Sequence, residues 1–383
     1  MLSRKRAGNF VFLLILILIL IGLAGCSTRE AVEDDPGNYQ PLVLSDWNVS
    51  TPEAQGLDPG VVLSAYQRAQ NLSNIYSLLI IKNGFLVAEE YFHGQAHNIA
   101  NPTASVTKSF VSCLAGIALR ENLLTDLDQT ITGFFPEVDW PALDPRKSQI
   151  TLRQVLQMRS GFPWEEFTGH INRLFSSSNW IPFIEEFPLT SDPGTEFGYS
   201  NLTAHLMAII LARAANTSLL SFAQTRLFEP LNIRPGYWPA DASGYNYGSG
   251  DLCLKPRDMA KFGLLFLNAG MFNGSQIVPA EWVSKSLTPY SFNVYARGGA
   301  YLDGKILSWF DVLDYGYLWW SSKAGAHPFH YAWGHGGQLI VLVHDLNMVV
   351  VTSADNLAGQ FGETAWQKEK VIMEMVGEFI ASI

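Results

Sequence analysis

Apolar residues gather in two short runs within Ser77–Phe92, SLLIIKNGFLVAEEYF, on either side of Lys82-Asn83-Gly84. Asn-Gly between such runs predicts a β-hairpin, because both residues accept positive φ. Upstream, Leu57–Leu72 carries apolar residues at helical spacing. Downstream, Val106, Phe110, Leu114 and Ile117 recur every three or four positions, which predicts a helix beginning at Ser105. Residues 120–230 read as helices and loops, with helices at Thr151–Met158, Trp180–Phe187 and Leu202–Ala215. Gly161-Phe162-Pro163-Trp164 and Ser191-Asp192-Pro193-Gly194 punctuate them. Asp258–Asn268 is a further amphipathic helix. The texture then becomes β-rich at Tyr315–Trp320, Gln338–Val343 and Met348–Ser353, with a turn at Asp345–Asn347. Ile372, Met375, Val376 and Phe379 share one face of a closing helix. Strands near both ends with helices between them predict an α/β (α+β) domain. Its sheet is built from both termini around a mostly helical insert at about residues 105–300.

The first residues follow a different logic. Arg4, Lys5 and Arg6 precede an apolar run from Phe10 to Ala24, short for a membrane span of about 20 residues. The run ends in Leu23-Ala24-Gly25-Cys26, which resembles the lipobox of bacterial lipoproteins. That resemblance implies a signal peptide at 1–25, a lipid on Cys26, a tether through residue 55 and a catalytic domain from 56 to 383. The membrane would then be a partner through that lipid, with the body in the cell envelope, outside the cytoplasm. An uncleaved N-terminal anchor is the alternative.

Composition narrows the classes. Of 383 residues, 48% are hydrophobic and only 16% charged, enough for a large core and unlike a disordered chain. The net charge of −10 becomes −13 without residues 1–25, which carry three bases and no acids. An acidic body argues against a nucleic-acid partner. Beyond Cys26, Cys113 and Cys253 read as small buried residues, and no cysteine spacing suggests a metal. His327-Pro-Phe-His330 lacks a third ligand.

The chemistry-bearing candidates are three short motifs. Ser105 and Lys108 are one helical turn apart, on one face. A serine nucleophile needs a base, and lysine serves only if its pKa falls towards neutrality through burial or a helix N-terminus. A surface serine beside a solvated lysine is the other reading. Tyr199-Ser200-Asn201 follows a Pro-Gly loop and precedes a helix. A tyrosine beside a cation is a proton shuttle with a lowered pKa, and asparagine is either a positioning amide or an N-cap. Gly334-His335-Gly336-Gly337-Gln338 opens a strand, where glycines admit a substrate backbone. Glu165 and Glu166 are adjacent acids expected to face solvent, and no Gly-x-Ser-x-Gly elbow occurs.

Ser105-x-x-Lys108, Tyr199-x-Asn201 and a late glycine-rich strand, in that order, resemble the penicillin-recognising serine hydrolases. The chain is most similar to the class C β-lactamase group and its relatives: D,D-peptidases, β-lactamase-like esterases and 6-aminohexanoate-dimer hydrolases. ITLRQVLQMRSGFPW, GTEFGYSN, LFEPLNI, LCLKPRDMAKFG and GHGGQLIVLVHDLNMVVVTS support the likeness from about Gly56 to the C-terminus. The resemblance implies the β-lactamase/transpeptidase-like fold: an antiparallel sheet flanked by helices, plus a mostly helical domain. It implies Ser105 as nucleophile, Lys108 as its base and Tyr199 as proton shuttle. Asn201 would position, and the N–H groups of Ser105 and Gln338 would form the oxyanion hole. No cofactor or metal is required. His335-Gly336-Gly337 stands where β-lactamases of the group carry Lys-Thr-Gly. An unperturbed histidine is mostly neutral at pH 7. The implied substrate is therefore a small amide, ester or peptide, with β-lactams disfavoured. A D,D-peptidase, or a penicillin-binding sensor that never turns over, is the alternative. Trp164, Trp319, Trp320 and Trp333 are candidates for an apolar cleft or for core.

Overall fold

The computed structural model describes residues 39–294, 310, 312–357, 360 and 362–383. The proposed signal peptide and Cys26 lie outside the described residues. Asp58 caps helix α1 (Pro59–Gln70) by accepting from Gly60 N at 2.7 Å. Strands β1 (Ile75–Lys82) and β2 (Phe85–Tyr91) form the expected hairpin. Asn83 and Gly84 at its tip take φ 53° and 81°, as a two-residue turn requires. Helix α2 (Thr107–Arg120) is buried from Thr107 to Ala118. Helix α3 (Asn201–Ala214) is buried from Asn201 to Ala212, so its polar residues are inside too. Helix α4 (Pro256–Leu267) follows a two-residue pairing of Asn101–Pro102 with Cys253–Leu254. The chain then returns to the sheet with β3 (Asp314–Tyr315), β4 (Trp320–Ala324), β5 (His327–Gly334), β6 (Gln338–Val343) and β7 (Met348–Ala354). It closes on helix α5 (Glu363–Ala381).

The seven strands form one antiparallel sheet in the order β2-β1-β7-β6-β5-β4-β3. Strands β6 and β7 are buried at every position, which explains their unbroken apolar runs. Helix α4 lies on β6 and β7. Its Gly263 permits the contact, since a Cβ there would sit 2.6 Å from Val349 Cγ1 and 2.8 Å from Ile340 Cγ2. Between Thr107 and Leu287 no strand is longer than two residues, so this stretch is mostly helical.

Three expectations change. Residues 39–50, read as tether, run along the outer edge of β2. Glu89 N donates to Tyr39 O, Leu86 N to Asn48 O, and Ser50 N to Leu86 O. An edge strand has unpaired main-chain groups that such a segment satisfies. Tyr315–Trp320 is not one strand. Leu318 adopts φ 58° in a turn between β3 and β4, and Gly316 N bonds to Trp319 O at 2.8 Å. Cys113 is buried, but Cys253 is half-exposed; both are free thiols.

Candidate active site

Thr103–Thr107 make a tight bend into α2. Ala104, just before the candidate nucleophile, adopts φ 46°, a left-handed conformation costly for a residue with a Cβ. The bend is over-determined. Thr107 Oγ1 donates to Ala104 O at 2.7 Å, and Asp251 N donates to the same oxygen at 3.3 Å. The end of β5 presses against it. A Cβ on Gly334 would lie 2.3 Å from Thr103 O, so only glycine permits this approach.

Lys108 is 1% exposed. Its Nζ donates to Ser105 Oγ at 2.8 Å, Asn201 Oδ1 at 2.9 Å and Ser249 O at 2.6 Å. Burial lowers its pKa to about 8, against the opposing pull of Glu166, Glu165 and Asp251. A neutral amine has two N–H bonds and one lone pair. Asn201 and Ser249 accept the two N–H bonds, which directs the lone pair at Ser105 Oγ. The chemical requirement set by the sequence, a lysine near neutrality beside a serine, is met here by geometry.

Tyr199 is buried and hydrogen-bonded with Ser105, and Lys108 Nζ lies 4.8 Å from its ring centroid. Its pKa is not lowered as expected. Burial pushes it well up, with help from Glu166, Glu369 and Glu165, and this outweighs the Ser105 hydrogen bond. Tyr199 thus keeps its proton at neutral pH. Ser200, not Asn201, is the N-cap of α3: its Oγ accepts from Thr203 N at 3.1 Å. That frees the Asn201 side chain to hold Lys108. Glu165, expected in solvent, is fully buried at the same helix start.

As expected, the glycine-rich segment opens a strand, β6, and it does so as the hairpin turn from β5. Gly334 and Gln338 close it as partners, and Gly337 N donates to Gly334 O at 3.2 Å. Gln338 is fully buried, its amide bonded to Ala354 N and O at 3.1 and 2.6 Å. Those bonds engage its side chain, and its main chain pairs with Gly334 where the turn meets β6. Gly336 and Gly337 pack on Asp355–Asn356 and on Ile372. His335 does reach the site. Glu369 of α5 organises the turn by accepting from Gly336 N at 2.8 Å and pairing with His335 Nδ1 at 3.1 Å. Burial alone would lower His335, but Glu369 and the Gln360 carbonyl outweigh it and hold the imidazole above its usual pKa. The expectation of an unperturbed, mostly neutral histidine is corrected in that direction.

A model of the family described as Beta-lactamase matches residues 76–370. This chain belongs to the beta-lactamase family. The family is one of serine hydrolases that act on amides and esters. Among curated relatives, a 6-aminohexanoate-dimer hydrolase of Paenarthrobacter ureafaciens is 24% identical over 226 residues, 55% of this chain and 56% of that protein. The chain thus spans a little over half the length of that relative. Among solved structures, a putative 6-aminohexanoate-dimer hydrolase from Bacillus anthracis superposes with a TM-score of 0.64 at 21% identity, covering 81% of this chain and 80% of that one. A D-stereospecific amidohydrolase from Streptomyces sp. gives 0.58 at 16% identity, covering 81% and 97%. These likenesses show the beta-lactamase/transpeptidase fold.

In this beta-lactamase family member Ser105, Tyr199, Asn201 and His335 line one cavity of about 720 Å³. Trp320 and Trp333 line it, as does Trp366 of α5. Trp319 is core instead, stacked on Phe262 at 5.9 Å, and Trp164 backs Tyr199 at 5.9 Å. Glu166, Asp251 and Glu369 give the cavity an acidic rim, with His335 the only basic residue among the described ones that line it. Ser249, Asp251 and Glu369 were not singled out from the sequence. Ser249 acts through its carbonyl, which any residue carries, so no side-chain signal marks it.

Proposed function

We propose that this protein is an extracytoplasmic serine hydrolase that cleaves a small amide or ester through an acyl-enzyme. Ser105 attacks the carbonyl, Lys108 in its neutral form takes the Oγ proton, and Tyr199 delivers a proton to the leaving group. Asn201 holds Lys108. The N–H groups of Ser105, at the start of α2, and of Gln338 stabilise the oxyanion. The observation that carries the reading is the buried Lys108 Nζ, 2.8 Å from Ser105 Oγ with its other two donors already engaged. The acidic, aromatic cavity supports a substrate without a free carboxylate, because such a group would meet Glu166 and Asp251.

Purified protein is incubated with p-nitrophenyl acetate and butyrate, nitrocefin, a D-Ala-D-Ala peptide and a linear amide dimer, and followed by product release and intact mass. Turnover of an ester or amide that vanishes in Ser105→Ala is the expected result. A stable adduct on Ser105 without turnover supports the penicillin-binding sensor instead. Neither adduct nor turnover across the panel rejects the assignment for these substrates. The basic n-region and Leu23-Ala24-Gly25-Cys26 support the envelope location and lipid anchor.

A further inference from the structure

Glu165 is a fully buried carboxylate that the chemistry above does not use. Its Oε1 accepts from Ser200 Oγ at 2.7 Å and Leu202 N at 3.1 Å, and its Oε2 accepts from Asn201 N at 2.9 Å. These donors begin the helix that carries Asn201, and Tyr199 immediately precedes them. A carboxylate satisfies all three donors at once. An amide puts an N–H donor where one of these oxygens accepts and must break at least one bond, while a protonated carboxyl is a weaker acceptor at the oxygen that carries the proton.

We propose that Glu165 is a positioning residue whose ionised carboxylate fixes Ser200, Asn201 and Leu202, and so sets Asn201 on Lys108 and Tyr199 on Ser105; on protonation this grip weakens. The inference rests on the hydrolase reading for its consequence in turnover, but not for its geometry. The charged and titratable groups around Glu165 are Lys108 on α2, Tyr199 ahead of α3, and its chain neighbour Glu166. Lys108 favours the carboxylate and Glu166 opposes it. Burial raises Glu165 to about 7 while its hydrogen bonds pull it down, so the switch falls in the working pH range.

The test compares the full-length wild type with Glu165→Gln and Glu165→Asp. Ester hydrolysis is followed from pH 5 to 9, with thermal midpoints to confirm folding. The titration of Lys108 is read separately by NMR of its Cε. In the wild type, loss of the Lys108 base form and weakening of the Glu165 grip combine, so log kcat/KM falls below pH 7 with a slope steeper than one. Glu165→Gln is expected to lower kcat 10- to 100-fold with KM within threefold and to fall with a slope of one. Glu165→Asp is expected to recover at least a tenth of wild-type kcat. The wild-type Lys108 titration is expected to show a second inflection near 7 that is absent in Glu165→Gln. Equal kcat and equal slopes in folded Glu165→Gln overturn the proposal. If the wild type hydrolyses nothing, the hydrolase reading fails on its own, and the Lys108 titration still decides the role of Glu165: no inflection near 7, or the same curve in both proteins, overturns it.

Discussion

At the scale of single residues, two buried ionisable groups control behaviour with opposite signs of shift. Lys108 is lowered from 10.5 to about 8 by burial. Its neutral form is the base, so hydrolysis is expected to rise tenfold per pH unit or more below 8 and to level above it, measured as kcat/KM. Lys108→Met is expected to cost about 10²–10⁴-fold, the usual worth of a general base. Glu165 is raised from 4.5 to about 7, again by burial. Below about 4.5 folded and unfolded chains both hold its proton. Between about 4.5 and 7 the unfolded chain releases that proton while the folded chain still holds it, so on the order of 3 kcal/mol of stability is lost across that window and little more above it. Thermal scans of wild type against Glu165→Gln should therefore diverge between about pH 4.5 and 7 and run parallel above it, the wild type falling relative to the variant. Curves parallel throughout would show that this carboxyl does not titrate there. The residue types at Ser105, Lys108, Tyr199 and Asn201 were legible because the chemistry needs those groups. Glu165 was not, because a glutamate before a helix reads the same whether buried or in solvent.

Elements are joined at a few positions where small volume changes have large effects. Gly263 lets α4 lie on the sheet. Gly263→Ala gains about 1 kcal/mol of helix propensity. Against that, its Cβ meets stiff β-branched side chains at 2.6 and 2.8 Å, and overpacking costs about 1–3 kcal/mol. The net expectation is a loss of up to about 2 kcal/mol, read as a lower urea midpoint; an unchanged midpoint would mean that Val349 and Ile340 move aside. Arg257 of α4 ties the 39–50 segment to β2 by pairing with Asp46 at 2.6 Å and with the buried Glu89 at 2.5 Å. Arg257→Ala strands the Glu89 charge, which costs about 3–5 kcal/mol. The hairpin at Asn83-Gly84 was legible because turn geometry is local. The 316–319 turn was not, because aromatic residues there suit a strand by propensity while packing bends them.

Across the whole molecule, location is a separate property from fold. We propose a lipid on Cys26, so Cys26→Ser is expected to move the protein from the membrane to the soluble fraction. Unchanged fractionation and absence of a lipid mass would reject the anchor. Sequence by itself determined the sheet from both ends, the helices between, and the order Ser105-x-x-Lys108, Tyr199-x-Asn201, His335. Those signals are local, being periodicity, turn residues and motif spacing, and each is carried by a few neighbouring side chains. Only the tertiary structure decided that Ser249 lends its carbonyl to Lys108 and that the Gln338 side chain bonds Ala354. It also decided that Glu369 lifts His335 and that burial raises Tyr199 and Glu165. Each of these joins distant segments or depends on how far water is excluded. Desolvation and long-range hydrogen bonds exist only once the chain has folded, so no pattern along the chain encodes them.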